Sequence, residues 1–129
     1  MNLESPKSTV QKSQKELYEF LINTENYKNL LPDTLEDFES SEDSFKFALK
    51  GMPAIRLAFD EKQPNSLIKL KATSDTFPVF LICKIAKVDE KESTAQLFFE
   101  GEINPMMAMM IKKPLQNLLN TLSEKMQDL

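Results

Sequence analysis

From residue 35 to residue 103 the apolar side chains recur at every second position, and from residue 105 onward at every third or fourth. A period of two builds strands with one dry face, and a period near 3.6 builds a helix with one apolar stripe. That switch constrains the chain most. A one-faced sheet needs a cover, and the helix that follows it supplies one.

The strands read off in order. Ser40-Ser41-Glu42-Asp43 is a polar turn ahead of Phe45, Phe47 and Leu49, which share a face opposite Lys46, Ala48 and Lys50. Gly51-Met52-Pro53 marks the next corner, after which Ile55, Leu57 and Phe59 alternate with Arg56, Ala58 and Asp60. Pro64-Asn65 turns the chain into Ile68, Leu70 and Ala72, interleaved with Lys69 and Lys71. A longer strand from Phe77 points Val79, Leu81, Cys83 and Ile85 inward and turns through Asp89-Glu90-Lys91-Glu92. It returns with Ala95, Leu97, Phe99, Gly101 and Ile103 inward, and Lys84, Gln96, Glu100 and Glu102 outward. Loops this short join antiparallel neighbours, not parallel ones.

Helices flank the sheet. Ser13 and Glu16 form a capping box, in which the serine oxygen accepts from a free backbone N–H and the glutamate reaches back. Leu17, Phe20 and Leu21 give helical spacing, and Tyr27, Leu30 and Leu31 repeat it until Pro32, so two short helices stand in tandem. Thr9-Val10 ahead of them fits an edge strand. Asn104 and Pro105 suit the cap and first turn of the long terminal helix. Ile111, Leu115, Leu118, Leu119, Leu122 and Met126 make its stripe, opposite Lys112, Asn120 and Lys125. Pro114 lacks an N–H and crowds the preceding turn, which predicts a kink or break near Lys113.

A chain of 129 residues suits one domain, residues 1–129, with no room for a second. Its net charge of -4 repels a phosphate backbone, so nucleic acid is not an expected partner. No apolar run is long enough to span a bilayer or to serve as a secretory core, and a cytoplasmic location is expected. Cys83 has no second cysteine to pair with, and its neighbours Leu81, Ile82 and Ile85 favour burial over a reactive thiol.

Catalytic chemistry is sparse. The absence of histidine removes the commonest general base and metal ligand, and one cysteine cannot build a zinc site. Gly51 and Gly101 lie too far apart for a phosphate-cradling loop, and no cofactor or metal is expected. Glu36, Asp37, Glu39, Glu42 and Asp43 are the densest acidic group, but without the spacing and central glycine of a calcium loop they read as a solvated hairpin. Arg56 alternates away from the dry face and reads as a surface residue. Tyr18 and Tyr27 read as packed rings with wet tips.

The order of elements is that of an α+β helix-grip fold: a curved antiparallel sheet of about seven strands, two short N-terminal helices and a long C-terminal helix. On this basis the chain resembles the START/Bet v 1-like superfamily, also called the SRPBCC or polyketide cyclase-like group, over nearly its whole length. The carriers are Ser13-Gln-Lys-Glu-Leu-Tyr-Glu-Phe-Leu, Tyr27-Lys-Asn-Leu-Leu-Pro32, and Phe99-Glu-Gly-Glu-Ile103 running into the terminal helix. A lipocalin barrel is the nearest competing architecture, but it leaves the capped helical pair unexplained. These carriers are packing and capping patterns, specific for fold and silent on chemistry.

The resemblance implies a cavity between the concave sheet and the long helix, and a small apolar molecule as its occupant. The expected lining is Phe45, Phe47, Ile55, Leu57, Phe59, Leu70, Leu81, Leu97 and Phe99 from the sheet, with Met107, Met110, Ile111 and Leu118 from the helix. Met106, Met107, Met109 and Met110 crowd the helix start, where flexible thioethers suit a ligand gate or simple gap filling, with Met106 and Met109 free to face a partner or membrane. Non-catalytic binding of an apolar molecule is the leading expectation. A protein–protein adaptor with a collapsed cavity is the second, marked by a filled core and an exposed apolar patch. A cyclase-like enzyme is the third, requiring a carboxylate or tyrosine in the cavity.

Overall fold

The computed structural model describes residues 1–51, 53–73 and 79–129. The Phe77 start of the longer strand and Met52 of the Gly51-Met52-Pro53 corner lie outside them. The strands are β1 (Asn2–Glu4), β2 (Ser8–Val10), β3 (Leu35–Ser40), β4 (Ser44–Leu49), β5 (Ile55–Gln63), β6 (Leu67–Ala72), β7 (Val79–Lys87) and β8 (Ser93–Gly101). The helices are α1 (Gln14–Leu21), a 3-10 helix (Thr24–Asn29) and α2 (Pro105–Gln127). This is the helix-grip α+β arrangement expected, a curved antiparallel sheet closed by one long helix.

The sheet order is β1-β8-β7-β6-β5-β4-β3, with β2 also on β8. Eight strands appear where about seven were expected because the N-terminal strand is cut in two. Pro6 has no N–H for the ladder, and Ser5-Pro6-Lys7 bulges between the pairs Glu4↔Phe98 and Ser8↔Ala95. Ser5 bridges the gap: its N–H donates to the Leu97 carbonyl at 2.8 Å, and its Oγ accepts from the Leu97 N–H at 3.0 Å.

The turns follow their residues. Ser66 N–H bonds to the Gln63 carbonyl across Pro64 and Asn65, and Asn65 has φ 66°, the position a type II turn reserves for glycine or asparagine. Gly51 takes φ 85° between β4 and β5. The capping box forms as read: Ser13 Oγ accepts from Glu16 N–H at 3.1 Å, and Glu16 Oε1 accepts from Ser13 N–H at 3.2 Å.

In α2, Asn104 Oδ1 accepts from Met107 N–H at 2.9 Å, and all six stripe residues are buried. No break occurs at Pro114: α2 is continuous from Pro105 to Gln127. The carbonyl that loses its partner belongs to Met110, on the wet side of the helix, where water can replace the lost bond. Helix α2 packs against β1, β2 and β8, whereas α1 lies over β6 and β7 and the 3-10 helix over β3 and β4. Ser123 fixes the far end, taking a bond from Ser8 Oγ to its carbonyl at 2.8 Å and giving one from its own Oγ to the Pro6 carbonyl at 3.2 Å. Lys125 Nζ adds a bond to the Leu31 carbonyl at 2.6 Å and a contact with Asp33 at 3.6 Å.

Candidate functional site

The concave face of the sheet and the underside of α2 meet around a small apolar void. Phe45, Phe47, Leu57, Leu81, Phe99 and Leu118 line it, together with Tyr27, Leu31 and Leu122. Room for the centre of a water-sized sphere is only about 10 Å³, the space of roughly one such sphere. The side chains therefore fill most of the volume that the curvature encloses. The aromatic rings do much of this, with Tyr27 stacked on Phe45 at 4.4 Å and 15°, and Phe38 and Phe47 each 5.9 Å from Phe45.

The other expected lining residues are placed differently. Ile55, Leu70, Leu97 and Ile111 are buried in the same core without reaching the void. Phe59 is half-buried: it pairs with Leu70 and packs against the core at the last position before the register shifts, and Lys62 Nζ sits 4.8 Å from the centre of its ring. Met107 is half-buried against the core, one turn before Ile111 on the same helix face. Met110 is not on the inner face at all: it is 74% exposed, because one residue before Ile111 is about 100° around the helix.

Tyr27, Leu31 and Leu122 were legible as core positions, though not as void lining. Tyr27 corrects the expectation of a wet tip. Its side chain is buried and its hydroxyl donates to the Leu21 carbonyl at 2.7 Å. Burial first, and the neighbouring Cys83 second, push its pKa well above the ordinary tyrosine value, so it stays a neutral donor already in use. The Cys83 thiol is pushed up to about 12 by burial, which leaves it protonated and inert. Among the described residues no buried side-chain nitrogen or oxygen lacks a partner, and the void is lined by no carboxylate.

Outside the void lies a cleft of about 310 Å³, bounded by Pro32, Thr34, Leu49, Lys50, Pro114, Asn117, Leu118 and Thr121. Leu118 lines both spaces and is 2% exposed. It stands as the partition between open cleft and closed core. The cleft opens where α2 passes the end of β4, beside Pro114.

The charged candidates stay on the surface. Lys46 lies 3.7 Å from both Asp37 and Glu39, and Arg56 lies 3.7 Å from Glu39 while donating to Ser44 Oγ at 2.9 Å. These are the solvated contacts of an exposed hairpin, worth little each. Among the described residues no three acidic or cysteine side chains are grouped to hold a metal ion.

No protein-family profile matches the sequence, and no curated protein matches it either. Solved structures do match. Norcoclaurine synthase from Thalictrum flavum superposes with a TM-score of 0.72 at 10% identity, over 99% of this chain and 94% of that one. A START superfamily protein from Mycobacterium smegmatis gives 0.69 at 12% identity, over 98% and 94% of the two chains. The chain has the START/Bet v 1-like fold. A subunit of the Aha1 dimer from Colwellia psychrerythraea, at 0.61 and 14% identity over 95% and 96%, shares it as well. Likeness at this level of identity extends to the START/Bet v 1-like architecture and not to chemistry. No helix among the described residues is long and apolar enough to cross a membrane.

Proposed function

We propose that this protein is a single-domain, non-catalytic binding module that takes up a small apolar molecule between the sheet and α2, through the cleft beside Pro114. The observation that carries this reading is the position of Leu118, one side chain between a 310 Å³ cleft and a void walled by aromatic and aliphatic groups. The void is too small for a ligand while closed, so uptake requires Leu118 to swing out or the adjoining half of α2 to lift. Binding is then by dispersion and desolvation, with polar groups confined to the cleft mouth at Thr34, Lys50, Asn117 and Thr121. Catalysis is disfavoured by the same wall, which offers one committed tyrosine hydroxyl and no carboxylate. The buried, protonated Cys83 suits a reducing compartment, and we place the protein in the cytoplasm.

A second reading, an adaptor whose cavity is permanently filled, draws on the near-complete packing of the void and on the exposed methionines of α2. Comparing native with denaturing mass spectra of freshly purified protein separates the two. A small molecule lost on denaturation is the expected result. Bare protein that also ignores fluorescent fatty-acid and sterol probes overturns the binding reading and leaves the adaptor.

A further inference from the structure

Met106, Met109 and Met110 are 77%, 84% and 74% exposed, and among the described residues only Val88 joins them as a large apolar side chain standing in solvent. Three such groups within five residues form a patch rather than a scatter. The patch has a cationic collar. Met109 borders an open groove of about 480 Å³ with Lys112, Lys113, Gln116 and Asn117. Asn117 also lines the Pro114 cleft, whose mouth holds Lys50, so groove and cleft adjoin.

Acidic side chains are missing from this stretch of the sequence. From Ile103 to Ser123 there is no Asp or Glu, in a chain that has 20 among 129 residues. Among the described residues neither the groove nor the cleft is lined by a carboxylate. Among the described residues none of Lys50, Lys112 and Lys113 has a carboxylate within the 4.0 Å limit of an ion pair; the paired cations are Lys15, Lys46, Arg56 and Lys125.

We propose that the exposed Met106/Met109/Met110 face of α2, with Lys112, Lys113 and Lys50 around it, docks on an anionic phospholipid bilayer and sets the cleft mouth against it. Flexible thioethers insert among the upper acyl chains while lysine stems lie along the interface and present their ammonium groups to phosphate. The net charge of -4 opposes approach to an anionic surface in general, and Lys50, Lys112 and Lys113, with no carboxylate among the described lining residues of groove and cleft, favour approach by this face. A bilayer fits better than an acidic protein surface because the face adjoins the cleft, and the cargo of that cleft partitions into lipid. The choice of a bilayer and the transfer of cargo both rest on the binding reading proposed above, whereas the exposed patch and its lysines stand without it.

The test is flotation with vesicles of phosphatidylcholine and with vesicles in which about a third of the lipid is phosphatidylglycerol, at low salt and at about 0.5 M salt. The wild type is expected to float with the anionic vesicles and to be released by salt. Met106→Gln/Met109→Gln/Met110→Gln loses about tenfold or more in partitioning, and Lys112→Gln/Lys113→Gln loses the preference for anionic lipid. All five side chains are exposed, and circular dichroism checks the fold of each variant. Failure of the wild type to bind anionic vesicles, or equal binding by both variants, overturns the proposal. So does a stoichiometric protein complex lost in the same variants while vesicles are ignored, which gives the face to a protein partner. Uptake of a fluorescent fatty acid is measured alongside: uptake without vesicle binding refutes docking alone, and vesicle binding without uptake refutes the binding reading alone.

Discussion

Leu118→Ala separates a gate from an ordinary core residue. Leu118 and Leu119 are adjacent on α2 and exposed by 2% and 0%, but only Leu118 borders the void and the cleft. Truncating a buried leucine to alanine costs about 2.4 kcal/mol in lost burial at roughly 0.8 kcal/mol per methylene-sized group. If the space stays sealed, on the order of 80 Å³ of new cavity at about 24 cal/mol per Å³ adds nearly 2 kcal/mol more. Leu119→Ala should pay both contributions, about 4 kcal/mol. Leu118→Ala opens its space to the cleft, where water or a probe enters, so the cavity contribution largely disappears and about 2–3 kcal/mol remains. Urea unfolding followed by far-ultraviolet circular dichroism reads the difference as a midpoint shift at constant slope. Titration with a fluorescent fatty acid reads the gate: Leu118→Ala should bind it more tightly than wild type and Leu119→Ala should not. Equal destabilisation of the two variants with no gain in uptake would refute Leu118 as the partition.

The capping box, the thiol, the buried tyrosine and the helix give further tests. Glu16 has its pKa lowered, first by the Ser13 backbone N–H and then by the Ser13 hydroxyl, so its contribution is full above the ordinary carboxylate range and fades as pH falls through the folded value. The urea midpoint of Glu16→Gln should therefore lie below wild type at neutral pH and converge with it in acid. Cys83 should resist thiol reagents in the native protein at mildly alkaline pH and react promptly in denaturant, since its pKa is pushed up to about 12. Tyr27→Phe leaves the Leu21 carbonyl without its hydroxyl partner and should cost about 1–3 kcal/mol by urea unfolding, with probe uptake retained. Hydrogen exchange should be faster at the amides of residues 108–113 than at those of residues 118–126, because side-chain anchors gather on the second half of α2. Uniform protection along the helix would remove the lifting route and leave the swing of Leu118 as the way in.

Much of the fold was legible because it is written in local patterns. The alternation at Phe45, Phe47 and Leu49 placed β4, Ser13 with Glu16 placed the start of α1, and Asn104-Pro105 placed the start of α2. Misreadings arose where one residue shifts a pattern or where distant elements meet. Pro6 splits the first strand, Phe59 is the last β5 position before a register shift and is only half-buried, and Met110 follows the helical phase out to solvent rather than its neighbour Ile111 inward. Ser8 and Ser123 meet across 115 positions, and nothing near either residue announces the other. The wet tip expected of Tyr27 is absent because its hydroxyl meets the Leu21 carbonyl at the end of α1, a contact set by how α1 ends against the 3-10 helix. Volume is the quantity least visible in sequence, since it depends on how far apart sheet and helix settle once the Phe45, Phe47, Phe99 and Tyr27 rings are stacked.

The anchoring of α2 is uneven, and this bears on how a closed core could admit a guest. Gln116 bonds to the Glu4 carbonyl at 2.9 Å, Ser123 meets Ser8 and Pro6, and Lys125 reaches Leu31 and Asp33. Every one of these anchors lies beyond Pro114. Before it, the helix holds to the core through Met107 and Ile111, while Met106, Met109 and Met110 stand in solvent. Pro114 also removes the one backbone bond that would tie its own position to the Met110 turn. The segment that is easiest to lift is therefore the one that carries the exposed methionines, and it ends beside the cleft and Leu118. A contact made by those methionines acts on the weakly held half of the helix beside the cleft mouth, whereas Leu118 and Leu122, which line the void, belong to the anchored half, so opening the void still needs Leu118 to move.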